Sequence, residues 1–197
     1  MAGELTKIRR TKMGATMPYY AVITTESTTT YPTYSTPAEF SEFVSLTEAL
    51  QYAEGSFYSN DRESESSKVF KRCDLTFGNK GLTYAVMKDV FGATLSTEGE
   101  IAIGAGNTPP RIGFGFYRTL EDNGKRYYEG VYYPICKAAI GSESDNTLGE
   151  NITYAGEEIT LVAYTMADSA KTWKEMKIFE TAAAAEAWVK EKLGATA

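Results

Sequence analysis

The stretch IGFGFYRTLEDNGKRYYEGVYYPI, residues 112–135, decides the fold class. Two runs rich in aromatic and β-branched residues are joined through Asn123 and Gly124, and both residues tolerate the positive φ of a tight hairpin turn. In the first run Gly113 and Gly115 alternate with large side chains, so one face of the strand is nearly bare. Bare faces indicate close backbone approach or tight curvature. The stretch therefore predicts a central β-hairpin.

Further strands are expected on both sides of this hairpin. Alternation of apolar and polar residues is typical of strands, and the segment 39–52 fits either a helix or a strand. Strands are predicted over 18–24, 69–77, 159–163 and 173–179. With the hairpin, these segments and shorter runs amount to about seven strands or more.

Two helices complete the predicted elements. Apolar residues recur at helical spacing from Leu82 to Phe91, and Gly92 stands where a helix C-terminal glycine is expected. Thr181 can cap a closing helix that carries Trp188 on its apolar side. The sequence therefore predicts a mainly β (α+β) fold with one flanking helix and a C-terminal helix.

Polar tracts predict the domain organisation. Residues 1–17 are basic and lack hydrophobic periodicity, so a flexible N-terminal arm is expected there. Residues 18–197 are expected to form a single β domain. Within it, residues 53–67 are the most polar tract of the chain and predict a long exposed loop.

Composition argues against several functional classes. The chain has 197 residues and contains no histidine, and histidine is the commonest general base and metal ligand. We therefore expect no enzymatic activity and no cofactor. A net charge of −6 disfavours a nucleic-acid-binding surface. No signal peptide or membrane span is recognisable, which predicts a soluble protein made in the cytoplasm.

A few residues invite a chemical interpretation. Cys73 and Cys136 lie in apolar runs without metal or redox spacing, so reduced core cysteines are expected and a bridge stays open. Acidic residues at Glu143, Asp145 and Glu150 could suggest a cation loop, but their spacing misses the EF-hand pattern. No metal site is predicted.

Tyrosine and phenylalanine are the more telling residues. With 14 tyrosines and few interleaved basic residues, packing in the core or at subunit interfaces is favoured over stacking on nucleic acid. The packing and interface candidates are Tyr19, Tyr20, Phe114, Phe116, Tyr132 and Tyr133.

Several motifs, taken in order, resemble the major tail protein (tail tube protein) family of long-tailed, siphovirus-like bacteriophages. The resemblance extends over about residues 14–194. The family often has an acidic pair in its exposed loop, and here only Asp61 keeps the charge. The matching segments are Gly14 with 17–24, the loop 57–61, the strand–helix step 73–77 and 86–92, the hairpin 112–116 with 126–128 and 132–134, and the closing Trp173, Phe179 and 187–189.

The resemblance implies a structural virion protein with a β-sandwich or barrel-like subunit. Six copies would close into a ring and the rings would stack into a tail tube, the conduit for DNA ejection. The implied partners are further copies of the chain, the tape measure protein, the tail terminator and the distal tail proteins. DNA would pass through the lumen without specific binding, and no membrane is involved. The protein would assemble in the host cytoplasm and reside in the virion.

Ring-to-ring contacts are expected from the N-terminal arm, pivoting at Gly14, and from the 53–67 loop. The contact candidates are Lys7, Arg9, Arg10, Lys12, Tyr58, Asp61, Arg62 and Glu63. Two alternatives stay open: a ring-forming head–tail connector or tail terminator protein, and a small-ligand or carbohydrate-binding β-sandwich with aromatic platforms such as Tyr132 and Tyr133.

Overall fold

The computed structural model describes residues 5–59, 62–139 and 156–195. Strands hold 54% of the residues and helices 12%, which confirms the predicted mainly β class. The strands are β1 Thr11–Thr25, β2 Thr33–Tyr34, β3 Ala38–Glu39, β4 Phe43–Ser59, β5 Arg62–Asn79, β6 Thr94–Leu95, β7 Ile101–Ala102, β8 Arg111–Asp122, β9 Lys125–Ala139, β10 Glu157–Tyr164 and β11 Glu175–Phe179, and the helices are α1 Tyr84–Phe91 and α2 Ala182–Lys192.

One large antiparallel sheet dominates the fold. Its strands run in the order β2-β1-β8-β9-β10-β5-β4, with β3 also on β1 and β11 also on β9, while β6 and β7 form a separate small ladder. Strands distant in sequence are therefore neighbours: β1 pairs with β8, and β5 pairs with β10.

The β8–β9 hairpin has the turn that the sequence predicts. Asn123 and Gly124 adopt φ of 53° and 75°, and the flanking residues Asp122 and Lys125 pair across the turn. Positive φ at both central residues matches the right-handed twist of the strands. The turn fixes the register of the two longest central strands.

The sheet curls strongly on itself. Phe77 in β5 and Phe114 in β8 lie three strand positions apart, which in a flat sheet is roughly 14 Å. Their ring centroids are only 5.7 Å apart. Phe43 of the edge strand β4 similarly lies 5.3 Å from Phe116 of β8. The concave face of the sheet therefore encloses the main hydrophobic core.

Helix α1 contributes to this core from the same side. Val86, Val90 and Phe91 are buried in the main cluster. The Thr83 hydroxyl accepts a hydrogen bond from the Val86 amide, and Gly92 ends the helix in the left-handed region at φ 69°. The predicted glycine stop is confirmed.

Helix α2 covers the opposite, convex face over β1, β8 and β9, and small residues let it approach closely. A Cβ built on Gly113 would lie 2.7 Å from Cδ2 of Leu193, and one on Gly115 would lie 2.7 Å from Cγ1 of Val189. The bare strand face predicted from the alternating glycines is thus the floor on which α2 rests. Thr181 caps this helix as predicted, since its side chain accepts a hydrogen bond from the Ala184 amide.

The expectation for residues 1–17 is wrong in its second half. Strand β1 begins at Thr11, and its first part pairs with β8 between Thr11↔Glu121 and Thr16↔Tyr117. Gly14 pairs with Thr119 inside this ladder, so it is not a free pivot. The composition misled because a strand held by backbone hydrogen bonds with one wet face needs few apolar residues.

The loop predicted over 53–67 is also wrong. Strands β4 and β5 continue through this tract and pair as far as Ser59↔Arg62. The polar composition fits a two-stranded ladder whose described side chains at 52–55 and 67–69 are exposed, so that no apolar alternation is required.

The two cysteines are buried, free thiols, as expected. Ala163 of β10 pairs with Cys73 on one side and with Cys136 on the other. The cysteines are therefore two strands apart, roughly 10 Å, beyond the reach of a disulfide. Burial raises the pKa of the Cys73 thiol to about 11 and that of Cys136 further.

We predict that Gly115→Ala weakens the packing of α2 against β8. The new Cβ would lie 2.7 Å from the branched, buried Val189 and 3.1 Å from the Val131 carbonyl, and neither group has freedom to move aside. The free energy of unfolding, measured by urea denaturation, should fall by about 1–3 kcal/mol.

The matched control is Gly14→Ala, another strand glycine whose added Cβ meets nothing within 4 Å. It should leave stability unchanged or slightly raised, because alanine is favoured over glycine in a strand. Equal losses of unfolding free energy in the two variants would contradict the proposed close packing of α2 on Gly115.

Candidate assembly surfaces

The β4–β5 hairpin extends well beyond the body of the sheet. Strand β5 pairs with β10 only from Cys73 to Asn79, whereas its pairing with β4 continues outward to Arg62. We call the paired residues 52–59 and 62–70 the protruding hairpin. Eight strand residues span roughly 25 Å. Isolated two-stranded hairpins are marginal in water, so an element of this length favours contact with a partner.

Apolar side chains gather where the protruding hairpin leaves the body. Leu50, Tyr52 and Val69 are 44%, 40% and 59% exposed. Beside them Phe70 stacks on Trp173 with centroids 5.2 Å apart. The base of the hairpin thus presents a partly apolar surface beside a rigid aromatic pair.

The large sheet also has unpaired strand edges. Strand β4 ends the strand order, and among the described residues its second side has no partner strand. At the other end, β3 and β2 pair with β1 only near Tyr20 and Ile23. Unpaired edges are templates for pairing with another chain. Both ends of the sheet therefore offer backbone groups to a neighbour.

The predicted contact residues fall in two places. Lys7, Arg9 and Lys12 are exposed near the start of β1. The others belong to the protruding hairpin: Tyr58 is in β4, Arg62 and Glu63 are in β5, and Asp61 lies outside the described residues. Arg10 differs, because it binds a group within its own chain.

Arg10 takes part in a buried charged cluster on the concave face. Its Nε donates to Oε1 of Glu129 at 2.6 Å, and its Nη2 donates to Oε2 at 3.0 Å. Arg118 Nε donates to Oε2 of the same carboxylate at 2.5 Å. Glu129 is 2% exposed and Arg118 7%, whereas Arg10 is 43% exposed.

A second ion pair completes this cluster. The ammonium of Lys174 and the hydroxyl of Tyr133 both donate to Oε1 of Glu48, the latter at 2.7 Å. We call Arg10, Arg118, Glu129, Glu48 and Lys174 the charged cluster. The charges act on one another across the two pairs, since Arg118 influences Glu48 and Arg10 influences Lys174.

The pKa values in the charged cluster follow from opposing effects. Burial alone would raise the pKa of Glu129, but hydrogen bonds from Arg10 and the charge of Arg118 outweigh it and lower the pKa. The pKa of Glu48 is lowered in the same way by Lys174 and Tyr133 against its burial. Burial lowers the pKa of Lys174 despite its carboxylate partner. Both carboxylates are therefore charged at neutral pH.

The sequence contained a signal for the charged cluster that composition alone did not reveal. A two-residue turn at Asn123–Gly124 sets Arg118 opposite Glu129. Both residues continue the inward-facing alternation, after Phe116 on β8 and before Val131 on β9. A basic and an acidic residue facing each other at inward positions indicate a buried ion pair.

The six packing candidates lie inside the molecule. Tyr19 and Tyr20 are 3% exposed, Phe116 is 2%, and Phe114, Tyr132 and Tyr133 are fully buried. All six therefore pack inside the described subunit, and a role at subunit interfaces stays a prediction. The carbohydrate-platform reading of Tyr132 and Tyr133 is wrong, because fully buried rings cannot stack on a ligand.

Other site classes find no support in the described part of the chain. Across it, no three Cys, Asp or Glu side chains gather as metal ligands would, and Glu143, Asp145 and Glu150 lie outside it. Neither described helix is long and apolar enough to cross a membrane.

We predict that Glu129→Gln destabilises the fold strongly. The amide leaves the buried Arg118 without its opposite charge, and removing one partner of a buried pair costs about 3 kcal/mol or more. Urea denaturation near neutral pH measures the loss. The control Glu54→Gln removes the carboxylate of an exposed pair with Lys68 and should have no measurable effect.

The same carboxylates predict a stability that declines in acid. Their folded pKa values lie below the unfolded value of about 4.3, so their contribution is complete above that value and is lost as pH falls through the folded pKa. Unfolding free energies should decline below about pH 4.5. The decline should be shallower in Glu129→Gln, and an identical slope in both proteins would contradict this assignment.

Comparison with known proteins adds no relative: the chain matches no protein-family model and no curated protein sequence.

Proposed function

We propose that this chain is a self-assembling tail tube protein of a long-tailed bacteriophage, which forms hexameric rings that stack into the conduit for DNA. The observation that carries the proposal is the protruding hairpin, which leaves the sheet at the level of Tyr52 and Phe70. Its two strands have only each other among the described pairings. A subunit that stacks on copies of itself needs such a projecting element.

The curvature of the sheet supports the β-sandwich or barrel-like subunit that this function requires. The 5.7 Å contact between Phe77 and Phe114 brings distant strands of one sheet face to face. Among the described pairings, the free side of β4 and the outer side of β1, which is paired only in its second half, lie toward opposite ends of the strand order. Edges of this kind join head to tail around a closed ring, and ring closure removes them from solvent.

Electrostatics supports passage of DNA rather than binding. The chain carries a net charge of −6, and in a ring of identical subunits this charge is multiplied. An acidic channel repels the phosphate backbone, whereas lysine and arginine contacts would retain it. The proposed partners are copies of the chain, the tape measure protein, the tail terminator and the distal tail proteins, in the virion.

Negative-stain electron microscopy of the purified protein tests the proposal. We expect hollow tubes or stacked rings, because the same surfaces that join two rings are presented again at each end of the stack. Lone rings that never stack would contradict the tail tube and favour a head–tail connector or terminator. Persistent monomers at high concentration would contradict both.

A variant with a shortened protruding hairpin tests whether this hairpin is required for ring stacking. Replacing residues 56–66 by Asn-Gly closes the ladder with a two-residue turn between Gly55 and Ser67, which pair in register. The variant should form rings without stacking them into tubes. Its melting temperature should stay close to that of the parent, since the replaced segment lies beyond Cys73, the last residue of β5 that pairs with β10.

Removing residues 1–9 tests the N-terminal contacts separately. This truncation keeps Arg10 and therefore the charged cluster, whereas deletion to residue 13 would also remove the first pairs of β1. We expect weaker stacking with an unchanged melting temperature. Normal tubes from both the truncated and the shortened variants would overturn the proposed ring-to-ring contacts.

A further inference from the structure

Arg10 reaches backwards along the sheet to make its contact. Thr11, the next residue, pairs with Glu121, whereas Glu129 pairs with Arg118, three residues further along β8. Three strand residues correspond to roughly 10 Å. The guanidinium therefore extends back over the concave face, and the residues before β1 are tethered at that end of the sheet.

The charge balance of the cluster makes Arg10 different from its other members. Arg118 with Glu129, and Lys174 with Glu48, form two pairs that are neutral without Arg10. Arg10 is the surplus cation, and its side chain is 43% exposed. When the Arg10 guanidinium leaves Glu129, this carboxylate stays paired with Arg118 and no buried charge is unpaired. The solvent that Arg10 already contacts then hydrates its guanidinium.

We propose that the Arg10–Glu129 ion pair is a releasable latch, which holds residues 5–10 against their own sheet and can open without unfolding the core. Breaking the Arg118–Glu129 contact would strand two buried charges and is costly. Breaking the Arg10 contact leaves Glu129 paired with Arg118 and returns a guanidinium that is already 43% exposed to water, so it costs less. The two contacts to Glu129 thus differ in role: the Arg118 contact is structural, and the Arg10 contact is reversible.

A neighbouring side chain fits this arrangement. Leu120 is fully buried, although it stands only three residues before the exposed Asn123 of the turn. Release of the latch would then free Lys7, Arg9 and Arg10 for contacts with another ring, a use that rests on the proposed function.

Limited proteolysis of the unassembled chain with a lysine-specific protease tests the latch. Cleavage after Lys7 is followed by mass spectrometry, and the product that begins at Ile8 is common to all variants. Arg10→Gln should accelerate this cleavage about fivefold at low salt, since it removes one tether of this segment, three residues away. The matched control Arg9→Gln deletes the same charge from the exposed neighbour and should cleave like the parent.

Salt provides the second readout. Raising NaCl from about 20 mM to about 500 mM screens a half-exposed ion pair, so the parent should approach the rate of Arg10→Gln while that variant changes little. An unstructured lysine peptide corrects for the protease itself, and an unchanged melting temperature shows that the core stays folded. Equal low-salt rates in the parent and Arg10→Gln, or equal acceleration of both by salt, would overturn the latch. Failure to form tubes would leave these results unaffected.

Discussion

The register of the β8–β9 hairpin is the constraint on which the rest of the structure depends. The turn at Asn123–Gly124 sets Arg118 against Glu129 and Gly115 against Tyr132. Because side chains alternate between faces, a slip by one residue would exchange the aromatic concave face with the glycine-bearing convex face. A slip by two residues would leave the buried Arg118 and Glu129 without each other. The turn at the end of the hairpin and the Arg118–Glu129 ion pair within its ladder therefore both require the same register.

The two faces of the β8–β9 hairpin achieve close packing in opposite ways. On the concave face large rings meet edge to face, as Phe40 does with Phe114 of β8 at a centroid distance of 5.7 Å. On the convex face the absence of side chains at Gly113 and Gly115 lets Val189 and Leu193 approach the backbone. The curved sheet thus has its aromatic rings on the concave face and its bare glycines under α2 on the convex face.

The elements that sequence reasoning predicted correctly depend on local chemistry. The Asn-Gly turn, the Gly92 helix stop and the Thr181 cap are each determined by residues within a few positions. Segments whose state depends on distant partners were not predicted correctly. Thr11 is a strand residue because it pairs with Glu121, 110 positions away, and local composition does not reveal that pairing. The described side chains of the protruding hairpin at 52–55 and 67–69 are exposed, and the hairpin lacks the alternation by which strands are recognised.

The strand order also has a consequence for synthesis of the chain. Strand β1 emerges from the ribosome first but pairs with β8, and β5 pairs with β10, so neither ladder can close until most of the chain has been made. The β4–β5 hairpin, in contrast, needs only neighbouring residues and can form early. The protruding hairpin, for which we propose contacts with other copies, can thus form before the core that positions it. On polysomes, where nascent copies are crowded, an acidic chain with a polar hairpin is protected from premature association by charge repulsion.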